Sequence, residues 1–346
     1  MPPERPLLTI AIPTYNRGRY LAELLEVLQP QVAGEPGVEL LIADNASTDD
    51  TPALCARLMS EGLACRYIRN AANIGADGNF LLCFSEARGK YVWLLGDDDI
   101  VLPGALSRIV QLLSRSNYSL VYLCPYPFRH DYLRERKDDI LGRFAQTVTN
   151  GLPFIRKVGT TVAFISAMIV NKERCDTVRH PPFQSFVGTN LVHLGWLLPA
   201  VASGGESLIV WDRMLGARSA NSGGWGIGQV FGRNLPSVTW SILGHSSEIA
   251  VELINCTLRN WFPAMIAEIR RGTAGELQNE NIRQMLERDF RPNWRYWVFV
   301  YPVAALPKRA ALMWQVGVKN INRVLRLSAL VCSYPVWRRQ LISRTP

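Results

Sequence analysis

Three consecutive carboxylates, Asp97-Asp98-Asp99, stand directly behind an apolar run, Tyr91–Leu95. At the tip of a buried strand they repel one another, and none is stable unpaired in a low-dielectric site. A divalent cation resolves that conflict: carboxylate oxygens suit Mg2+ or Mn2+, which share their coordination shell with substrate phosphates and water. The competing reading is a solvated acidic turn, or a cap for a helix that begins near Pro103. Asp44 ends a second apolar run, where it either bonds its own turn or contacts a nucleobase or ribose edge. Tyr15 either stacks on a base or packs against the sheet. His193, with an unperturbed pKa of about 6.5, suits proton transfer at neutral pH, and equally suits a helix histidine satisfied by a neighbour. In Asn221-Ser222-Gly223-Gly224-Trp225, glycines allow close backbone approach and a Trp face can stack on a sugar ring. A plain turn with a packed Trp is the alternative there.

These residues need elements to position them, and the first half of the chain alternates strand-like and helix-like patterns. Strands are predicted at Leu7–Ile12, Val38–Ala43, Cys65–Ile68, Tyr91–Leu95 and Leu120–Cys124, with helices over residues 20–28, after Pro52, over 78–87 and over Pro103–Leu113. Alternation of this kind implies crossover units and a mostly parallel sheet covered on both faces. Ligands bind such sheets outside the carboxyl ends of the strands. Four polar clusters fall at those ends: Pro13–Arg17, Asp44–Asp50, Asn70–Asn79 and Gly96–Asp99. Four loops at one sheet edge make a site, and that position favours the metal reading of the aspartates over the solvated turn. Beyond, Phe128–Val158 reads as a charged surface loop or lid, Thr161–Val170 as β-rich, Gly188–Leu198 as a helix presenting Asn190 and His193, Ser207–Trp211 as a strand, and 237–271 as helical.

The chain has 346 residues, 48% hydrophobic and 19% charged, an ordinary globular mix with a net charge of +9. From Arg283 on, twelve bases face two acids, so the preceding residues are close to neutral. Short apolar runs there alternate with bases and with Trp294, Trp297, Trp314 and Trp337. That combination suits the surface of an anionic bilayer, where each base contributes about 1 kcal/mol. Packing helices with solvated charges are the alternative. Nucleic acid is disfavoured, because the bases do not form a charged stripe. Seven scattered cysteines argue against a disulfide framework and for a reducing compartment. No secretory signal is read at the start, and the longest apolar stretch, Tyr296–Leu306, falls short of the ~20 residues that span a bilayer. A cytoplasmic protein, peripheral at the inner face of the membrane, is expected.

In order, Thr9–Asn16, Leu41–Thr51, Asn73-Ile74-Gly75 and Tyr91–Asp99 resemble the family 2 glycosyltransferases with the GT-A fold. The stretch from Asn73 to Asn79, ahead of a Trp-containing strand and a Gly-Asp-Asp-Asp run, is similar to the abequosyltransferase-like enzymes of bacterial O-antigen assembly. The resemblance is specific over residues 7–115, weaker over 160–230 and absent from the tail. It implies an α/β fold of GT-A (Rossmann-like) type, with a glycosyltransferase domain over 1–235 (nucleotide-sugar half 1–125, acceptor half 126–235) and a basic helical region over 236–346. It implies transfer of a hexose or deoxyhexose from a nucleoside-diphosphate sugar to a saccharide acceptor on a polyprenyl lipid. Pro13, Thr14, Tyr15, Asn16, Asp44, Asn73, Gly75, Asn79 and Asp97 would bind the nucleotide, and Asn190, Asn221 and Trp225 the acceptor. The family's Asp-x-Asp motif aligns with Gly96 in its first position, so Asp98 is the first metal ligand, Asp97 a ribose or metal contact, and Asp99 third. Inverting members carry a carboxylate base about a hundred residues later. Phe186–Trp196 holds none, which leaves His193 as the base in position, then Asp212, then Glu206. A nucleotidyltransferase is the other enzyme reading, but the loop after the first strand lacks the Gly-rich, basic character that holds a triphosphate. A catalytically inactive saccharide- or membrane-binding module is the non-enzyme reading. No G-x-G-x-x-G follows the first strand, which removes a dehydrogenase.

Overall fold

The computed structural model describes residues 5–136, 145–175, 181–219, 226–272, 281–318 and 320. Two compact units emerge, one with the described residues up to Thr257 and the other with those from Leu258 on. The first is built on a nine-stranded sheet in the order β3-β2-β1-β4-β8-β6-β9-β5, with β7 paired to β9. Its strands are β1 (Leu8–Thr14), β2 (Val38–Asp44), β3 (Arg66–Arg69), β4 (Tyr91–Leu94), β5 (Ile100–Val101), β6 (Leu120–Phe128), β7 (Gln146–Thr149), β8 (Met168–Asn171) and β9 (Ser207–Arg218). Pairings β1·β2, β2·β3, β1·β4 and β6·β9 are parallel, and β8 lies antiparallel to both β4 and β6. Six strands (β1–β4, β6 and β9) therefore point one way, while β5, β7 and β8 run against them. The α/β, mostly parallel reading holds, with the antiparallel strands gathered beyond β4.

Helices α1 (Gly18–Ala33), α2 (Thr51–Ser60), α3 (Gly75–Glu86) and α4 (Ala105–Arg115) occupy the connections expected from the sequence. Every position of β1 is buried, as it must be in a central strand covered on both faces. The α1 stripe of Leu21, Leu24, Leu25 and Leu28 is at most 1% exposed, about 1.5–3 kcal/mol of transfer free energy for each side chain. Asp49 accepts the Thr51 N–H at 3.0 Å and the Gly18 N–H at 2.9 Å, so one carboxylate ties the starts of α1 and α2 together.

The later half departs from expectation. β7 and α5 (Gly151–Val158) occupy part of the segment read as a charged lid; residues 137–144 lie outside the described residues. Alternating signs of charge hid the short run Gln146–Thr149, which pairs with β9 over Ser207–Val210. Only Met168–Asn171 of the Thr161–Val170 stretch is strand; 3-10 turns occupy Gly159–Ala163 and Ile165–Ala167. Helix α6 begins at Leu194 and ends at Ala202, so the Gly188–Val192 stretch read as helical is a turn with positive φ at Gly188 (90°) and Asn190 (58°). Left-handed residues do not continue a right-handed helix. α7 (Leu235–Leu243) packs on α6 and α8 (Glu248–Cys256) on α5. The first unit therefore runs past residue 235, where the glycosyltransferase domain was expected to end.

The second unit is helical in its described residues: α9 (Phe262–Arg271), α10 (Ile282–Phe290), a π-helical turn over Tyr296–Val300, α11 (Tyr301–Ala305) and a further helix over 308–318. Phe262, Ile266, Leu286, Phe290 and Val303 are buried in it, with the Phe262 and Phe290 rings edge to face at 5.9 Å. No helix among the described residues is long and apolar enough to cross a membrane. The tail residues beyond 320, Trp337 included, lie outside the described residues.

Gly89 shows how closely the turn before β4 approaches β1. A Cβ there would lie 2.5 Å from the Thr9 backbone nitrogen and 2.7 Å from the Tyr91 carbonyl oxygen. Its own N–H donates to Thr9 Oγ1 at 2.8 Å. Gly89→Ala is expected to destabilise the fold by about 1–3 kcal/mol, the range of an overpacked core. Urea unfolding checks this as a lower midpoint with an unchanged slope.

Candidate active site

At the carboxyl ends of β1, β2 and β4 the chain leaves a cavity of about 400 Å3. Pro13, Thr14, Tyr15 and Arg17 line it after β1; Asn45 after β2; Asn73, Gly75, Ala76, Asn79 and Phe80 around the start of α3; and Gly96, Asp97 and Asp98 after β4. Ile165 and Asn190 complete the wall. The four loops expected to converge do so. Tyr15 is 43% exposed, an unpacked ring at the rim.

Asparagine amides knit the wall between β2 and α3. Asn45 Nδ2 donates to Asn73 Oδ1 at 2.8 Å and to the Gly75 carbonyl at 3.2 Å, while its Oδ1 accepts from Asn70 Nδ2 and the Ile74 N–H. Asn79 Nδ2 donates to the Ala43 carbonyl at 2.8 Å and Asn79 Oδ1 accepts from Asn70. Asn45 and Asn70 were not among the sequence candidates. Their polar type in a turn has a commonplace explanation, and nothing local distinguishes an amide that bridges two loops.

The aspartates divide. Asp97 Oδ2 accepts the Thr14 hydroxyl at 2.8 Å and its Oδ1 accepts Arg17 Nη1 at 3.0 Å; the same guanidinium nitrogen lies 3.4 Å from Asp98 Oδ2. Burial pushes the Asp97 carboxyl up to about 6 against the pull of Arg17. Burial alone would lower the Arg17 guanidinium, but Asp97 and Asp98 hold it above its ordinary value. Asp99 does not line the cavity. Its Oδ1 accepts the Arg218 N–H at 2.9 Å, and burial, then the Asp98 charge, raises its carboxyl well above the usual range. The third metal ligand expected from the sequence thus faces β9.

Asp97 and Asp98 fit a Mg2+ or Mn2+ ion of the kind that takes one or two carboxylates and fills its shell with phosphate oxygens and water. Burial, and after it the Asp98 charge, holds Asp97 toward its protonated form although Arg17 stands beside it, and a second cation would relieve that cost. No group of three His, Cys, Asp or Glu side chains among the described residues forms a closed protein cage. An open two-carboxylate site needs none.

Several candidates are placed elsewhere. Asp44 is fully buried and spends its carboxylate locally, accepting the Ser47 N–H at 2.8 Å and the Tyr67 hydroxyl at 2.6 Å, with Arg69 Nε at 3.4 Å. The cavity residue is its neighbour Asn45. Asn16 (φ 52°) accepts the Thr48 N–H on Oδ1 at 2.7 Å and joins two loops behind the wall. His193 is buried, pairs Nε2 with the Ala163 carbonyl at 2.9 Å, and does not reach the cavity; burial lowers its pKa to about 4. A base has to meet the acceptor hydroxyl, and in this structure the His193 ring is held by the Ala163 carbonyl outside the cavity lining. Asp212, also buried, accepts the Ala145 N–H at 3.0 Å and is no part of the cavity wall either. Asn221 and Trp225 lie outside the described residues.

Residues 9–171 match the family model described as "Glycosyl transferase family 2". The resemblance read from the motifs is thereby shown over that stretch. Abequosyltransferase RfbV of Salmonella typhimurium is 32% identical over 200 residues, which cover 54% of this chain and 59% of that protein. A GalNAc(5)-diNAcBac-PP-undecaprenol beta-1,3-glucosyltransferase of Campylobacter jejuni is 32% identical over 107 residues, 31% of this chain and 34% of that one. The chain thus spans three-fifths or less of the length of these curated relatives. Among solved structures, S. aureus TarS 1-349 in complex with UDP-GlcNAc superposes with a TM-score of 0.58 at 14% identity, covering 92% of this chain and 91% of that one. The fold is that of the GT-A glycosyltransferases.

The Asp97 charge opposes folding while no ligand is bound. Its folded pKa of about 6 lies above the unfolded value of about 3.9. The folded chain takes up that proton first, so the associated stability is full below about pH 4 and is lost as pH rises through 6. Asp97→Asn is expected to raise the ligand-free melting midpoint at pH 8, by about 2–4 °C for each kcal/mol relieved, and to change it little at pH 4. Calorimetric scans at the two pH values check the sign.

Proposed function

We propose that this chain transfers a hexose or deoxyhexose from a nucleoside-diphosphate sugar to a saccharide acceptor on a polyprenyl lipid, in bacterial surface polysaccharide synthesis of the O-antigen type. The observation that carries the reading is the single cavity shared by Tyr15, Asn45, Asn73, Arg17, Asp97 and Asp98. An aromatic face and amides suit a base and ribose, and a cation beside two carboxylates suits a diphosphate. The name of the Salmonella relative supports the transferase and its setting, and that of the Campylobacter relative supports a lipid diphosphate acceptor.

In this reading Tyr15 stacks on the base, and the Asn45–Asn73–Asn79 network keeps the loops at one spacing so that the nucleoside meets a formed wall. Thr14 orients Asp97 through its hydroxyl, and Asp98 faces the diphosphate with it. A divalent cation held by Asp98 and Asp97 would stabilise the charge that develops on the leaving diphosphate. Arg17, whose guanidinium lies beside both carboxylates, is a second positive group within reach of the same phosphates. A catalytically inactive binding module keeps one supporting observation, the burial of His193 away from the cavity. Measured sugar transfer decides between the two.

The second unit supports a peripheral seat at the inner face of the membrane. Trp294 (58% exposed), Trp297, Met313 (70%) and Trp314 present apolar surface, with the Arg295 guanidinium 4.6 Å above the Trp294 ring. Rings beside bases suit an anionic headgroup layer.

A thermal-shift screen of CDP, dTDP, UDP and GDP tests the donor site. One of them is expected to raise the midpoint more with Mn2+ than without, the stabilisation with Mn2+ being about 2.7 kcal/mol at a hundredfold excess over its Kd. Asp98→Ala should lose the metal-dependent part, and equal shifts with and without metal would defeat the metal assignment. For the membrane seat, Trp294→Ser with Met313→Ser is expected to reduce co-sedimentation with anionic vesicles severalfold and to leave nucleotide affinity unchanged.

A further inference from the structure

Asp77 has no part in the function proposed above, yet it is among the most deeply committed carboxylates in the chain. It sits in the first turn of α3, 4% exposed, two residues from Gly75 and Asn79. Its Oδ2 accepts the Asn190 N–H at 2.7 Å and its Oδ1 the Val192 N–H at 3.2 Å; burial raises its carboxyl above the ordinary value, against these N–H groups and those of Gly188 and Thr189, which favour the charged form. One side chain thus collects the backbone of the 188–192 turn. A buried carboxylate is costly unless its lone pairs are filled, and nothing in α3 requires an acid here.

The turn so held is one that would not persist by itself. Gly188 and Asn190 both have left-handed backbone, and a non-glycine residue at φ 58° stays there only where its surroundings demand it. Further ties restrain the same backbone: Thr189 Oγ1 donates to the Phe186 carbonyl at 2.6 Å, and Asn234 Nδ2 donates to the Thr189 carbonyl at 2.9 Å. A stack of Phe84 on Trp196 at 4.3 Å fastens α3 to α6 just beyond. What the turn delivers is Asn190, exposed on the cavity wall with Phe80 and Ile165. Ile165 precedes Ser166, whose Oγ accepts the Gly96 N–H at 2.9 Å, so it adjoins the acid run.

We propose that Asn190 reads the hydroxyls of the donor sugar and that Asp77 is the positioning residue that holds it there. The inference rests on the reading of the cavity as a nucleoside-diphosphate-sugar site. With base and ribose at Tyr15 and Asn45, and the diphosphate at Asp97 and Asp98, the remaining wall belongs to the sugar. A primary amide both donates and accepts, which is what a hydroxyl requires of its partner. A polar group left unpaired by the wrong sugar is also what separates close analogues.

Two variants test this by calorimetry with Mn2+: Asp77→Asn, which places an NH2 where an oxygen accepts, and Asn190→Gly, which removes the amide without forcing a Cβ into a left-handed position. The probes are whichever of UDP, dTDP, CDP and GDP the wild-type chain binds, and its hexose esters. The wild-type chain is expected to bind one hexose ester more tightly than the parent diphosphate. Each variant should keep its affinity for the diphosphate within about twofold and lose about tenfold for the ester, the worth of one hydrogen-bonded contact. The double variant should fall no further than either single one, because Asp77 acts through Asn190. A merely structural Asp77 would lower both affinities together. Parallel losses, additive losses or no loss in Asn190→Gly would overturn the assignment while leaving the nucleotide site standing. Failure of the wild-type chain to bind any of the four diphosphates would instead bring down the donor-site reading, and this inference with it.

Discussion

Negative charge confined at the end of a buried strand is the constraint on which the site depends. Asp97 and Asp99 are almost wholly enclosed, with Asp98 between them, and burial raises both flanking carboxyls. The surrounding chain is organised to tolerate that cost. Thr14 and Arg17 come from the end of β1 and the loop before α1, and Ser166 comes from a 3-10 turn. Arg218 at the end of β9 donates its backbone N–H to Asp99 and its Nε to the Asp98 carbonyl. Three segments distant in sequence, around Thr14–Arg17, Ser166 and Arg218, meet at the acid run. Of the three aspartates, Asp97 and Asp98 line the cavity, where the proposed cation would meet them.

Arg218 shows how far this organisation extends. Its Nη2 pairs with Glu23 at 2.7 Å, and its guanidinium lies 5.1 Å from the Tyr20 ring centre and 4.5 Å from that of Phe128. Arg17 approaches the same Tyr20 ring at 6.0 Å. The first turn of α1 thus separates two guanidinium groups that both serve the acid run, one from the cavity side and one from β9. A nine-tenths-buried arginine side chain with its donors used is a fixed strut. Asp99, bonded to its backbone, is held by the sheet and is unavailable to a ligand.

The first half of the fold was legible because its physics is local. Continuous apolar runs bounded by polar turns mark buried parallel strands, and a leucine stripe at helical spacing marks α1; both survive the tertiary context. The second half was not. β7 is four residues of mixed polarity whose pairing with β9 is its whole reason for being extended. The 188–192 turn reads as the start of a helix until Asp77, more than a hundred residues earlier, is seen to hold its N–H groups. The β6·β9 register shifts from Leu123 opposite Val210 to Pro125 opposite Leu215, so β9 carries the extra residues, and only the paired strands together specify such an irregularity.

Among the site residues, the legible ones are those whose chemistry is visible from type and position: Tyr15, Asn73, Asp97 and Asp98. Misplaced residues share a different property. Asp44, Asn16 and His193 are polar side chains whose needs are met by backbone or neighbouring groups within the fold. A sequence shows that a polar group exists without showing whether it is already satisfied. Asn45 and Asp77 are the converse case, ordinary in type and decisive in connection. The cavity wall is therefore shaped as much by side chains that tie its loops together, Asn45 from within the wall and Asp77 from outside the lining, as by the residues that only face its interior. Substitution of Asp77 would reshape the cavity without removing a lining side chain.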